Sequence, residues 1–250
     1  MTTSQENCAL VLGAGGGLGL ALVHQFLNDA AITKVIAVSS QEQPSSLSSI
    51  NRETDKLIWV NTLYDESAMA QVVTQLADYA GQISRVVICH GQLYSDTIWP
   101  EKRLEDINAQ ALHEIFQSNT VVPTLWLKLL FKLLKGKQPC VVATMSARVG
   151  SISDNRMGGW HSYRASKAAL NMVLQNMSIE YGRRAKNVKL IAFHPGTTDT
   201  DLSKPFQAAV PTGKLFSAVF VASQLANIMA TAELDGLLCY LDWNGQTINW

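Results

Sequence analysis

The chain has 250 residues, 47% of them hydrophobic, with 20 basic and 20 acidic side chains and a formal net charge of zero. That balance excludes the basic surface a nucleic-acid binder needs and the acidic excess of a solvating tail. Length and composition suit one globular domain over 1–250, with a core large enough to need no disulfide or metal staple.

Cys8, Cys89, Cys140 and Cys239 are far apart and form no C-x-x-C pair, so neither a zinc ribbon nor a redox motif is indicated. Three of them stand in or beside apolar runs, as reduced buried thiols do, which suits a cytoplasmic setting. His24, His90, His113, His161 and His194 show no ligand spacing, and no metal is expected. The start, 1–7, is polar and lacks the basic and apolar regions of a secretory leader. The apolar stretch 125–134 is broken by Lys128 and Lys132. It is shorter than the roughly 20 residues of a membrane span, so no membrane partner is expected.

In chain order, short apolar runs lie at 9–12, 35–38, 57–60, 85–89, 140–144, 189–193 and 237–241. Most are apolar at successive positions, the pattern of strands buried on both faces of a parallel sheet. Helical spacing marks 18–28, 66–79, 109–135, 163–181 and 217–231, and the polar patch 45–49 reads as a loop. This alternation predicts a doubly wound, Rossmann-like α/β domain of about seven parallel strands with helices on both faces.

The first run is followed by Gly13-Ala14-Gly15-Gly16-Gly17-Leu18-Gly19 and then a helix. A glycine turn there lets backbone approach a pyrophosphate, and the helix N-terminus offers free N–H groups. No Lys-Ser/Thr follows, which disfavours an NTPase phosphate loop. The second run ends at Val38-Ser39-Ser40. An acid there would repel a 2′-phosphate and a base would attract one; neither is present, which leans towards NADP over NAD. Asn61 and Thr62 end the third run, where a polar side chain meets either an adenine or water.

Tyr163 and Lys167 are four apart on a helical stretch and so share one face. A free phenol, with a pKa of about 10, is a poor base at neutral pH. A nearby ammonium favours the phenolate and tunes the group for proton exchange with a carbonyl or alcohol oxygen.

Together these features resemble the short-chain dehydrogenase/reductase family over nearly the whole chain. Gly13, Gly17 and Gly19 match its glycine motif, and Tyr163-Arg164-Ala165-Ser166-Lys167 its catalytic pair. Asn119 matches the asparagine of its fourth long helix, and Pro195-Gly196-Thr197-Thr198-Asp199-Thr200 its nicotinamide-contacting stretch. Arg148-Val149-Gly150-Ser151-Ile152 with Gly158-Gly159-Trp160 is similar to the C-factor and sniffer-type carbonyl reductase branch. The resemblance implies Tyr163 as general acid/base and Lys167 lowering its pKa and holding the nicotinamide ribose. It implies Asn119 anchoring a relay water and Ser146 orienting the substrate oxygen. Gly15, Leu18, Ser39, Asn61, Thr62, Gly91, Thr198 and Thr200 would join the cofactor site. Hydride would pass between NADP or NAD and a small carbonyl or alcohol, in a homodimer or homotetramer.

Two departures stand out. The family's Asn-Asn-Ala-Gly is here Ile88-Cys89-His90-Gly91. His90 is either a replacement polar contact or a histidine satisfied by backbone, the second being preferred. Aligning Gly150 puts Ala147 at the usual serine position, and a one-residue insertion would restore Ser146. Trp160, Phe206, Leu93 and Tyr94 are either walls of an apolar pocket or packing, and His161 reads as a solvent-facing loop residue. No Gly-x-Ser-x-Gly elbow supports a hydrolase. The competing function is a nucleotide-binding regulatory protein on the same fold.

Overall fold

The computed structural model describes residues 6–47 and 55–250. Most of the polar start and Ser48 and Ser49 of the polar patch lie outside the described residues; Ser45–Leu47 form one short helical turn.

The strands form as the apolar runs predict. β1 (Cys8–Leu12) is buried throughout. β2 (Lys34–Ser39), β3 (Leu57–Asn61), β4 (Ile83–Ile88), β5 (Cys140–Met145) and β6 (Val188–His194) follow along the chain. β7 (Thr197–Asp199) and β8 (Leu215–Ser217) are short, and β9 (Cys239–Asp242) closes the series. Seven strands make one parallel sheet in the order β3-β2-β1-β4-β5-β6-β9. The order reverses direction between β1 and β4, the switch point at which open α/β sheets place ligands.

Helices cover both faces. α1 (Gly17–Asn28) and α6 (Ala218–Thr231) share one core with Val11, Val87 and Phe193. α2 (Glu66–Gln75) packs on the other face with α4 (Val122–Leu134) and α5 (His161–Arg184). In α4, Trp126, Leu127 and Leu130 turn inward, while Lys128 faces out and pairs with Glu66 at 2.5 Å. Among the described residues no helix is long and apolar enough to cross a membrane, and all four cysteines are free.

Three features differ from the expectation. The 109–135 stretch is not one helix: α3 (Ala109–Phe116) passes through a π-helical turn, Gln117–Val121, into α4. The wider turn carries Asn119 into the protein, where its amide finds three partners. α5 begins at His161, so that histidine is helical and half-buried rather than a loop residue. β7 and β8 form a separate two-stranded sheet, too short to leave a periodic signal.

Candidate active site

The carboxyl ends of β1, β4, β5 and β6 floor a cleft of about 940 Å³. One end is the glycine turn. Gly13 has φ +82°, and its N–H and that of Ala14 donate to Val38 O at 2.9 and 3.0 Å. A methyl group at Gly19 would collide with the Gly13 carbonyl oxygen, so only glycine lets α1 begin this close to β1. A Cβ at Gly15 would meet Ser39 Oγ and Gln41 Oε1, and one at Gly17 would meet Thr200 Cγ2 at 2.8 Å. Helix α1 starts on Gly16 with no side-chain cap, leaving its first N–H groups to face an anion. This turn fits a dinucleotide pyrophosphate.

The glycines expected there border the cleft together with Leu18, and so do Gly91, Pro195, Gly196, Thr198 and Thr200. Ser39, Asn61 and Thr62 do not. Ser39 is buried, its hydroxyl accepting the Gln41 N–H at 2.9 Å. Asn61 is exposed at the end of β3, and the Thr62 hydroxyl donates to Leu63 O. Gln41, two residues beyond Ser39, takes the rim position; a polar residue just past the second strand was the available signal.

At the other end, Tyr163 and Lys167 rise from the first turns of α5. The Lys167 ammonium lies 5.9 Å from the Tyr163 ring centre and donates to Met145 O at 2.8 Å. A Cβ on Gly91 would stand 3.3 Å from that ammonium. The expected lowering of the phenol pKa is not what this geometry gives. Burial, with Tyr240 adding to it, pushes Tyr163 up, and burial brings Lys167 down to about 7. Lys167 has left water and Tyr163 keeps only part of its surface on the cleft, and each favours its neutral form.

Asn119 is fully buried and does not border the cleft. Its Nδ2 donates to Gln92 O at 2.9 Å and Ser166 Oγ at 3.0 Å, and its Oδ1 accepts the Gln92 N–H at 2.6 Å. It therefore fastens the chain after β4 to α5 beside Lys167. Ser146 borders the cleft, but its hydroxyl donates to Asn171 Oδ1 at 2.6 Å. Ala147 borders it too, and its carbonyl accepts the Tyr240 hydroxyl at 2.6 Å. Asn171 lies one turn beyond Lys167 on the same helix face, a spacing that would have flagged it.

His90 is satisfied, though not by backbone: Trp126 Nε1 donates to its Nε2 at 3.0 Å, and the Tyr64 ring meets it edge-on at 4.3 Å. Burial, then the Lys167 charge, hold its pKa down to about 3.

The start of α5 is fixed by a residue the sequence did not single out. Glu101, only 3% exposed, accepts the Ser162 backbone N–H on both carboxylate oxygens, at 3.3 and 3.2 Å, and the Ser162 hydroxyl as well. Its carbonyl accepts the N–H of Trp160, which is left-handed at φ 52°. Trp160 meets Tyr163 and Phe206 edge-on at 6.2 and 5.2 Å. Tyr94 stacks on Trp99 at 5.2 Å, and its hydroxyl donates to Asp201 O at 2.7 Å. Three loops thus join in an aromatic wall; Trp160, Phe206 and Leu93 border the cleft, and Tyr94 stands behind them.

Residues 7–211 match the short chain dehydrogenase family. The chain belongs to that family, a family of oxidoreductases. It is 24% identical to a benzil reductase ((S)-benzoin forming) of Bacillus cereus over 90% of this chain and 94% of that protein. It is 38% identical to a 1-hydroxy-2-glutathionyl-2-methyl-3-butene dehydrogenase of Rhodococcus sp., but over 35% of this chain and 37% of that one. The C-signal of Myxococcus xanthus is 41% identical over 26% of this chain and 37% of its own. Among solved structures, carbonyl reductase Sniffer of D. melanogaster superposes with a TM-score of 0.81 at 21% identity, covering 98% of this chain and all of that one.

Proposed function

We propose that the chain is a nicotinamide-dependent carbonyl reductase, acting as one domain, with Tyr163 as its general acid. One observation carries the reading: Tyr163 and Lys167 stand at one end of a cleft whose other end is an anion-ready glycine turn. Gly15 faces Ser39 and Gln41, neither of them acidic, which supports NADP(H) over NAD(H). Solved relatives from Burkholderia multivorans and Pseudomonas aeruginosa hold NADP.

When bound, a reduced nicotinamide supplies hydride to the carbonyl carbon. The protein's part is the proton. Tyr163, kept protonated by burial, gives its Oη–H to the substrate oxygen. Lys167 stands beside it and would hold the ribose of a bound cofactor. Asn119 steadies both by tying Gln92 to Ser166, and its backbone would anchor a water of the proton relay. Trp160, Phe206 and Leu93 make the substrate end apolar, which supports a bulky, uncharged carbonyl; the benzil reductase relatives make benzil the first compound to try. Val121, Met172 and Ile179 are exposed on the chain's long helical face, which supports self-association, and the free thiols support a reducing, cytoplasmic setting. Beyond the partial C-signal match, no observation favours a regulatory role without turnover.

The test is NADPH and NADH binding side by side by fluorescence, then benzil-dependent NADPH oxidation by the parent and Tyr163→Phe. The variant should bind cofactor within about threefold of the parent and lose 10²- to 10⁴-fold in rate. Equal rates would reject the assignment.

A further inference from the structure

In this cleft a hydrogen-bond donor for the substrate oxygen is missing from its expected place. Ala147, at the position the Gly150 alignment assigns to a reactive serine, has no hydroxyl. The neighbouring Ser146 hydroxyl donates to Asn171 at 2.6 Å. The next strand brings a different group to the same edge. Met145 pairs with Phe193, and the Ser146 N–H donates to Phe193 O at 2.8 Å, so His194 leaves β6 level with Ser146 and Ala147.

His194 borders the same cleft as Tyr163 and Lys167. Its Nδ1 is shut off from solvent and has no hydrogen-bond partner among the described residues. A buried nitrogen left without a partner is costly, and a catalytic role is one of the reasons a protein retains such a group. Two charged groups flank the ring. Asp242 is its partner across the β6–β9 pair, and Arg148 bridges Asp242 and Asp154 at 3.5 and 3.2 Å. Burial, then Arg148, lower the imidazole to about 4 against the opposing pull of Asp242, so at pH 7 it is neutral and carries one N–H.

We infer that His194 is a further catalytic residue, its Nε2–H, on the side of the ring away from the sealed Nδ1, donating to the substrate oxygen beside Tyr163 in place of the hydroxyl that Ala147 lacks. The inference rests on the carbonyl reductase reading. During reduction the Tyr163 O–H bond breaks as the new O–H bond forms on the substrate oxygen. His194 keeps its proton throughout and stabilises the charge that gathers there.

Three proteins test this: the parent, His194→Phe, and His194→Phe combined with Ala147→Ser. Benzil-dependent NADPH oxidation is read alongside NADPH binding and the thermal midpoint. The His194 ring signal is also followed by NMR as benzil is added to the cofactor-free parent. Expected are a fall in kcat of about 10²-fold for His194→Phe, NADPH affinity within threefold, recovery of at least tenfold on adding the serine, and a ring signal that shifts with benzil. A single variant within threefold of the parent overturns the inference, as does a loss the serine does not recover or a ring signal that ignores benzil. If His194→Phe does not fold, His194→Asn, which keeps a donor, replaces it: activity within tenfold of the parent is then required, and a deeper loss overturns the inference. A parent inactive on every carbonyl tried would instead sink the proposed function itself.

Discussion

The carboxylate of Glu101 receives both the backbone N–H and the hydroxyl of Ser162, one residue ahead of Tyr163. A loop far away in sequence thus sets where the helix bearing the phenol begins. The acid also sits at the positive end of that helix.

Glu101→Ala should therefore cost about 1–2 kcal/mol in stability, read by urea unfolding. It should lower kcat several-fold while leaving NADPH affinity near that of the parent. Glu101→Gln, which keeps one acceptor oxygen, should fall between the two.

Lys167 gives a pH signature. Its buried amine has a folded-state pKa of about 7, against 10.5 for the unfolded chain. Between those values the unfolded state binds more protons, so this group's contribution to stability rises with pH, and its full penalty applies below about 7. Lys167→Met should raise the thermal midpoint at pH 7 by about 4 °C or more. That gap should shrink as the pH approaches 10, while the reductase rate is lost at every pH. A gap that grows with pH would contradict the assignment.

His90 and Trp126 make a separate prediction. Trp126→Phe removes the N–H that His90 Nε2 accepts, leaving a buried nitrogen unpaired at a cost of about 1–3 kcal/mol. In the parent, His90 and His194 have folded-state pKa values of about 3 and 4, below the ordinary 6.5. Stability should accordingly fall as the pH drops through 6.5 towards 4. His90→Gln should flatten part of that acid limb in a series of urea melts.

Gly19→Ala tests the glycine turn. Its methyl group meets the Gly13 carbonyl oxygen, so the turn must open. NADPH binding should weaken at least tenfold, and the thermal midpoint should drop. Alanine at Gly136, an exposed glycine without a positive φ where a Cβ makes only an ordinary contact at 3.4 Å, serves as the control for an added methyl group.

Much of this was legible in the residues. Continuous apolar runs such as Leu10–Leu12 and Val86–Ile88 mark strands buried on both faces, and their alternation with helical stretches implies the sheet. Tyr163 and Lys167 could be placed together because four residues make one helical turn. What sequence concealed were relations between distant segments. Glu101 acts through a helix 61 positions on, and no local spacing shows it. Asn119 is turned inward by a π turn that leaves no periodic trace. Ser39 ends the second run, where an acid or a base would select the cofactor, but its hydroxyl is turned to accept the Gln41 N–H, a contact no strand pattern shows. The Tyr163 phenol is raised by burial, with Tyr240 adding to it, and burial of this kind is invisible in a four-residue spacing.

The 3.3 Å between the Lys167 ammonium and the vacant side-chain position of Gly91 makes that glycine the tightest point of Ile88-Cys89-His90-Gly91 around the lysine. His90, in the place of the family's asparagine, takes its hydrogen bond from Trp126 rather than from the lysine. A methyl group at 91 would make the amine give by a few tenths of an ångström, and a larger side chain would compete with it for the same space. The room around a single nitrogen atom thus decides how large a side chain position 91 can carry.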